Sequence, residues 1–221
     1  MHVKICGITT LSDALAAVDA GADMIGYNFY PLSKRYIRPE ACAALQNELR
    51  RRNVEVTTVG VFVNASQQEI AQTVGLCNLG YAQLSGDEGI EFARGLGGRW
   101  FKAIRPRSRE EAVRDGEMFG RSTPAFDVAQ DRPGLLVDSF RPGQYGGTGE
   151  VGDWGLAAAL AGSFPILLAG GLTPENVQAA IQQVNPWGVD VASGVESSPA
   201  RKDAGKMREF VKLAKSVKRD A

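Results

Sequence analysis

The chain has 221 residues, 44% of them hydrophobic, with 25 basic and 25 acidic side chains. That length and apolar content suit one domain, 1–221, with a large core. The balanced charge argues against a nucleic-acid or acidic-membrane partner, and no run approaches the roughly 18 apolar residues of a membrane span. Three scattered cysteines fit a reducing cytoplasm, and the chain opens on a strand rather than a signal peptide. His2 is the single histidine. Without a His/Cys cluster of ligand spacing, neither a metal site nor a histidine proton shuttle is expected.

Strand-like runs occur at Val3–Ile8, Met24–Phe29, Val56–Val63, Asn78–Leu84, Trp100–Ile104, Leu135–Val137, Ile166–Ala169 and Val189–Ala192. Helical patterns follow each in turn: Ser12–Ala20, Pro39–Arg51, Ser66–Val74, Asp87–Leu96, Ser108–Phe119, Trp154–Ala161, Thr173–Val184 and Asp203–Lys218. Pro39 suits a first helical turn and Ser66 suits an N-cap. Eight alternating strand and helix units in this length predict an α/β fold, a compact (β/α)8 TIM barrel. A doubly wound sheet ranks second, because it usually carries fewer units. The sixth unit is the least regular, and Ala125–Ala129 could form an extra strand before it.

In such a barrel the site is built at the C-terminal ends of strands and in the loops after them. Cys6 ends the first strand, between Lys4 and Gly7, which makes it a candidate reactive thiol. Cys42 and Cys77 sit in helical or apolar stretches and read as core residues. Arg35, beside Tyr36 after the second strand, has the planar fork that suits a carboxylate. Asp138 ends the apolar strand Leu135-Leu136-Val137, where a carboxylate must be solvated by the site or paired; its alternatives are an acid or base and a turn cap. Asp190, within Val189-Asp190-Val191, is either a site carboxylate or a structural acceptor. Gly170-Gly171 and Ser193-Gly194 follow strands seven and eight, the usual phosphate loops of a barrel, helped by a short helix expected after Val195. Gly147 to Gly152 matches G-x-G-x-x-G but stands seven residues past its strand, so a dinucleotide site is rejected. Gly146–Gly149 reads instead as a lid over a phosphate or ring.

Taken together and in order, these segments resemble phosphoribosylanthranilate isomerase. The matching strings are Lys4-Ile5-Cys6-Gly7-Ile8, Phe29-Tyr30-Pro31 with Ser33, Arg35 and Tyr36, Val59 to Asn64, and Gln83-Leu84. Others are Leu135 to Ser139, Gly146 to Gly149 with Asp153-Trp154, Ala169 to Val177, and Gly188 to Val191 with Ser193 to Glu196 and Lys202-Asp203. The resemblance implies a monomeric or homodimeric barrel without a cofactor, acting on a small phosphorylated substrate by an Amadori rearrangement. It implies Cys6 as general base, Asp138 as general acid, and Arg35 as the holder of the anthranilate carboxylate. Asp190 is grouped with the substrate-binding residues, and Gly147, Gly170, Gly171, Ser193 and Gly194 with the phosphate-binding ones. Three positions depart from the family pattern: Ser85 replaces a His, Lys34 a Pro, and Ala200 a Gly after Pro199. The nearest alternative is a related barrel isomerase of histidine biosynthesis, which typically carries Asp where Cys6 stands. A second is a non-catalytic sugar-phosphate binding barrel.

Overall fold

The computed structural model describes residues 1–122, 133–139 and 153–217. The strands are β1 (His2–Cys6), β2 (Met24–Asn28), β3 (Thr57–Phe62), β4 (Tyr81–Leu84), β5 (Trp100–Ile104), β6 (Leu135–Val137), β7 (Ile166–Leu168) and β8 (Gly188–Val191). They pair in that order, all parallel, and β1 pairs with β8 to close the barrel. The helices are α1 (Leu11–Asp19), α2 (Pro39–Arg51), α3 (Gln67–Cys77), α4 (Ile90–Arg94), α5 (Arg109–Asp115), α6 (Trp154–Ala161), α7 (Val177–Val184) and α8 (Ala204–Ser216). The expected fold class therefore stands.

Side chains alternate between two cores, as the period of a strand requires. One set fills the barrel: Met24, Val59, Phe101, Ala103, Leu136 and Leu167. The other lies between strands and helices, where Ile5, Ile25 and Val189 share a layer with Leu49, Ile181 and Phe210. Burying a side chain of that size contributes about 1.5–3 kcal/mol. The polar inward positions remain to furnish the site.

Helix boundaries follow local chemistry. Thr10 accepts a bond from the Asp13 N–H at 3.1 Å and starts α1. Ser66 and Glu69 cap one another reciprocally at α3, an arrangement that satisfies two orphan donors. That helix continues through Gly75 to Cys77, past the expected end at Val74, and stops where Asn78 turns left-handed at φ 51°. The expected strand from Asn78 therefore begins at Tyr81. β1 ends at Cys6 rather than Ile8, because Gly7 leaves the strand at φ 80°. The expected helix Asp87–Leu96 shrinks to five residues. Its intended first turn is consumed by Glu88, which accepts from the N–H groups of Gly86 (2.9 Å) and Asn64 (2.8 Å) and from Lys102 Nζ (2.7 Å). The expected helix from Thr173 starts at Val177, since Asn176 Oδ1 accepts from the Thr173 N–H at 2.8 Å and closes a separate turn. Past α5 the chain widens into a π-helical turn, Gly116–Gly120. Ala125–Ala129 lies outside the described residues.

An element not anticipated is the hairpin of β9 (Glu196–Ser198) and β10 (Arg201–Lys202). At its turn Ala200 adopts φ 63°. This is the position where the resembling family carries Gly. A left-handed L-residue costs about 1–2 kcal/mol, and glycine's extra chain entropy returns about 0.5–1 kcal/mol of that. Ala200→Gly is expected to stabilise the protein by about 0.5–1 kcal/mol on these figures. Urea unfolding checks it, and a lower midpoint for the variant would contradict the strain.

Candidate active site

The C-terminal ends of the strands gather an unusual number of buried charges. Lys4 on β1 and Asp190 on β8 are direct neighbours in the strand register. Lys4 is fully buried and donates to Asp190 Oδ1 at 2.9 Å. Burial opposes its charge, but Asp190 and then Cys6 outweigh that, so the ammonium is held more firmly than in water. A Cβ on Gly26 of β2 would stand 2.9 Å from Cys6 Sγ and 3.1 Å from Lys4 Nζ. The sulfur and the ammonium thus share the space over a glycine that leaves room for both. Cys6 is half-buried, whereas Cys42 and Cys77 are fully buried, and burial pushes both of those thiols up.

Arg35 lies across Gly7, whose missing Cβ would collide with the arginine stem. Its backbone N–H donates to Ser33 Oγ at 3.1 Å. The guanidinium is already engaged: Nε and Nη2 donate to the two carboxylate oxygens of Glu196 at 2.6 and 2.9 Å. Burial alone would lift the Glu196 carboxyl, yet Arg35 and Lys202 hold it below the usual carboxylate range. Lys202 Nζ donates to Glu196 Oε1 at 3.1 Å and to the Ala192 carbonyl at 2.8 Å. The bidentate fork expected for a ligand is thus shared with a residue of the chain itself.

Asp138 stands just past β6, its side chain 10% exposed. It accepts from the Ser139 N–H at 2.8 Å, and Arg105 Nε lies 3.8 Å from Oδ2. Burial raises its carboxyl above the usual range; Arg105 pulls the other way, and Asp190 adds to the rise. Arg105 Nη1 also donates to the Ser85 carbonyl at 3.0 Å. Ser85 Oγ accepts from Gln83 Nε2 at 3.0 Å. The residue that replaces the family's His therefore props Arg105 with its backbone.

The two glycine loops meet. Gly170 (φ 90°) and Gly171 (φ 63°) take conformations that favour glycine. A Cβ on Gly170 would come within 2.8 Å of the Ser139 N–H nitrogen, and one on Gly194 would collide with the Leu172 carbonyl. The loop after β8 does not follow the expectation of a short helix after Val195. The single 3-10 turn is Ser193–Val195 itself, and β9 follows because Glu196 must reach Arg35 and Lys202. Gly147 and the rest of Gly146–Gly149 lie outside the described residues.

The structure thus brings Asp190 to Lys4 beside Cys6, sets Arg35 across Gly7, and places Ser139, next to Asp138, against Gly170. Sequence reasoning gave no role to Arg105, Glu196 or Lys202. Arg105 follows β5 directly, a rim position that could have flagged it. Glu196 and Lys202 carried no signal beyond the family strings.

A half-buried thiol, a carboxyl raised above its usual range and a set of buried cations stand at the C-terminal rim of an α/β barrel, an arrangement of the kind that serves an enzyme for an anionic substrate. The family model described as N-(5'phosphoribosyl)anthranilate (PRA) isomerase matches residues 3–213. The chain is 48% identical to N-(5'-phosphoribosyl)anthranilate isomerase of Myxococcus xanthus, over 98% of this chain and 97% of that one. It is 42% identical to the same-named protein of Pelobacter propionicus, over 100% and 99%. The crystal structure of phosphoribosyl anthranilate isomerase from Thermotoga maritima superposes with a TM-score of 0.84 at 37% identity, covering 98% of this chain and 100% of that one. A phosphoribosyl anthranilate isomerase in complex with reduced 1-(o-carboxyphenylamino)-1-deoxyribulose 5-phosphate gives 0.81 at 37%, with the same coverage. The chain belongs to the phosphoribosylanthranilate isomerase family, enzymes of tryptophan biosynthesis. No helix among the described residues is long and apolar enough to cross a membrane.

The raised Asp138 carboxyl links stability to pH. A folded-state value above the unfolded one, about 3.9, stabilises below that value and is lost as pH rises through the folded value. Asp138→Asn cannot ionise, so it should melt higher than the wild type at alkaline pH, with the advantage vanishing below about pH 3.9. Melting curves across pH test this; a pH-independent difference would remove burial as the dominant influence on Asp138.

Proposed function

We propose that this chain converts N-(5'-phosphoribosyl)anthranilate to 1-(2-carboxyphenylamino)-1-deoxyribulose 5-phosphate, with Cys6 as general base and Asp138 as general acid. One observation carries the assignment of roles. The buried Lys4–Asp190 pair lies between them: Lys4 shares the space over Gly26 with the Cys6 sulfur, and the charge of Asp190 opposes ionisation of Asp138.

In the reaction, Asp138 gives its proton to the furanose ring oxygen. The C1' to ring-oxygen bond breaks, and the anthranilate nitrogen lone pair forms the Schiff base. That cation acidifies the C2' proton, which the Cys6 thiolate removes, and the resulting enolamine tautomerises to the ketone. A positioned acid or base contributes about 10²–10⁴-fold each. Burial suits Asp138 to this task by favouring its neutral form. The neighbour that holds a reduced 5-phosphate product analogue supports the same substrate class here.

The substrate carboxylate is assigned to the Nη1–Nη2 edge of Arg35, because Nε and one Nη2 proton serve Glu196. The phosphate is assigned to the backbone of Gly170-Gly171 and Ser193-Gly194, where glycine permits close approach. Asp190 is placed in this scheme as the partner of Lys4. The relatives are chain-length matches, and a dimeric isomerase from Thermotoga maritima is among the neighbours. A monomer or homodimer is therefore proposed.

Loss of fluorescence from freshly made phosphoribosylanthranilate is the direct assay. Cys6→Ser should fold normally and lose about 10²-fold or more in kcat; wild-type turnover would move the base elsewhere. Arg35→Lys should raise KM more than it lowers kcat, because an ammonium cannot serve Glu196 and a second carboxylate with one planar fork. An unchanged KM in that variant would assign the anthranilate carboxylate to another cation.

A further inference from the structure

We propose that Glu196 is a positioning residue for the reaction. It clamps the loop that carries Arg35 to the loop after β8, and so fixes the spacing between the groups assigned to the substrate carboxylate and the substrate phosphate. Glu196 itself need not touch the substrate. The inference rests on the assignment of those two groups made above.

The clamp is a chain of direct contacts. Arg35, between β2 and α2, gives Nε and Nη2 to the two Glu196 oxygens at 2.6 and 2.9 Å. Lys202 of β10 gives Nζ to Glu196 Oε1 at 3.1 Å and to the Ala192 carbonyl at 2.8 Å. Ala192 directly precedes the Ser193–Val195 turn. The order Arg35, Glu196, Lys202, Ala192 therefore runs unbroken from one loop to the other. The backbone around Glu196 is held as well. Its carbonyl accepts from Lys206 Nζ of α8 at 3.0 Å, and the Val195 carbonyl accepts from the Asp203 N–H at 2.9 Å. At the other end the stem of Arg35 lies against Gly7, where a Cβ would collide with it.

A pin for the hairpin alone would not call for this chemistry. The Arg35 and Glu196 side chains are largely buried, and that of Lys202 is fully so. Ions taken out of water are often no more stabilising than apolar residues of similar volume. What a bidentate carboxylate supplies is direction, because it fixes the plane of the guanidinium. With Nε and Nη2 engaged, the edge left for a ligand is set before the ligand arrives. A substrate with a carboxylate at one end and a phosphate at the other gains from receptors already at the right spacing, since less ordering remains to be done on binding.

Two variants separate position from charge. Glu196→Asp keeps the charge but shortens the side chain by one methylene, so that it no longer spans Arg35 and Lys202. Glu196→Gln keeps the length but offers one acceptor oxygen in place of two. Each is read by KM and kcat for phosphoribosylanthranilate. Each is also read by the Kd of inorganic phosphate, taken without turnover from the melting temperature as phosphate is added. In both variants KM should rise about tenfold, the scale of one charge-assisted hydrogen bond. The value of kcat should change less, and the phosphate Kd should rise with KM. A charge that merely offsets its neighbouring cations predicts tighter phosphate and a lower KM for Glu196→Gln, with no change for Glu196→Asp; that result overturns the proposal. A lowered melting temperature with KM and phosphate Kd at wild-type values marks a purely structural clamp and overturns it too. If one variant does not fold, the other decides by the same readouts. The phosphate titration does not involve the substrate carboxylate. An unchanged KM in Arg35→Lys would therefore defeat the carboxylate assignment alone, whereas an unchanged phosphate Kd in the Glu196 variants overturns the clamp whatever Arg35 does.

Discussion

Everything at the mouth of this barrel depends on the closure of β1 against β8. The pairing sets Lys4 beside Asp190 although 186 residues separate them in sequence. Closing a loop of that length costs entropy that a single ion pair cannot offset. It is met by the two hydrophobic layers that the eight strands bury on their inner and outer faces. Once the seam is closed, Cys6 comes to the loop after β8. Arg35, lying across Gly7, then meets Glu196 and through it Lys202.

The buried cations follow one rule, and their positions give it different meanings. Lys4, Lys102 and Lys202 each have a carboxylate within 3.1 Å. Removing one partner of such a pair costs about 3–5 kcal/mol, because the other charge stays stranded out of water. Lys102 faces outward from β5, where Phe119 covers it, and its Glu88 partner also gathers the N–H groups of Gly86 and Asn64. That set ties three loops together. Lys4 faces inward and shares the space over Gly26 with the Cys6 thiol. Exposed pairs such as Arg94 with Glu91 contribute at most about 1 kcal/mol and explain little of the fold.

The sequence made the barrel legible because its strands are apolar in alternation and its helices carry their own caps. Leu135-Leu136-Val137 and Trp100–Ile104 come out with the boundaries their patterns suggest. It failed where a side chain serves a distant partner instead of its own helix. Glu88 reads as part of a helix start until Lys102 is found beside it. Glu196 reads as one more polar residue after the last strand, and only the fold shows that it lies against Arg35. The same limit applies to the site. Cys6 and Asp138 could be singled out, since a thiol or carboxylate at the end of an apolar strand needs a reason to be there. Lys202 could not, because a cation past the last barrel strand is ordinarily solvated, whereas Arg105 was within reach as the residue directly after β5. Asp190 stood undecided between ligand and structural acceptor until its contact with Lys4 gave it a third meaning.

Net charge misled in an instructive way. The chain balances 25 basic against 25 acidic residues, so its net charge offers no overall field. At the mouth, however, Lys4, Arg35, Arg105 and Lys202 are set among Asp138, Asp190 and Glu196, so cations outnumber carboxylates in this group of described residues. Burial pushes the Asp138 carboxyl toward its neutral form, which adds to that excess. The surplus lies at low exposure, where bulk ions screen it less than they would a surface patch. Such a concentrated field attracts a small ligand carrying a phosphate and a carboxylate without making the whole surface basic. The cations that remain after the internal pairs are counted also set a limit on the chemistry. Ionising Asp138 would erase part of what draws the substrate in, and burial opposes it. Binding and acid–base poise are therefore one electrostatic arrangement, and a change to either carboxylate on the rim alters both.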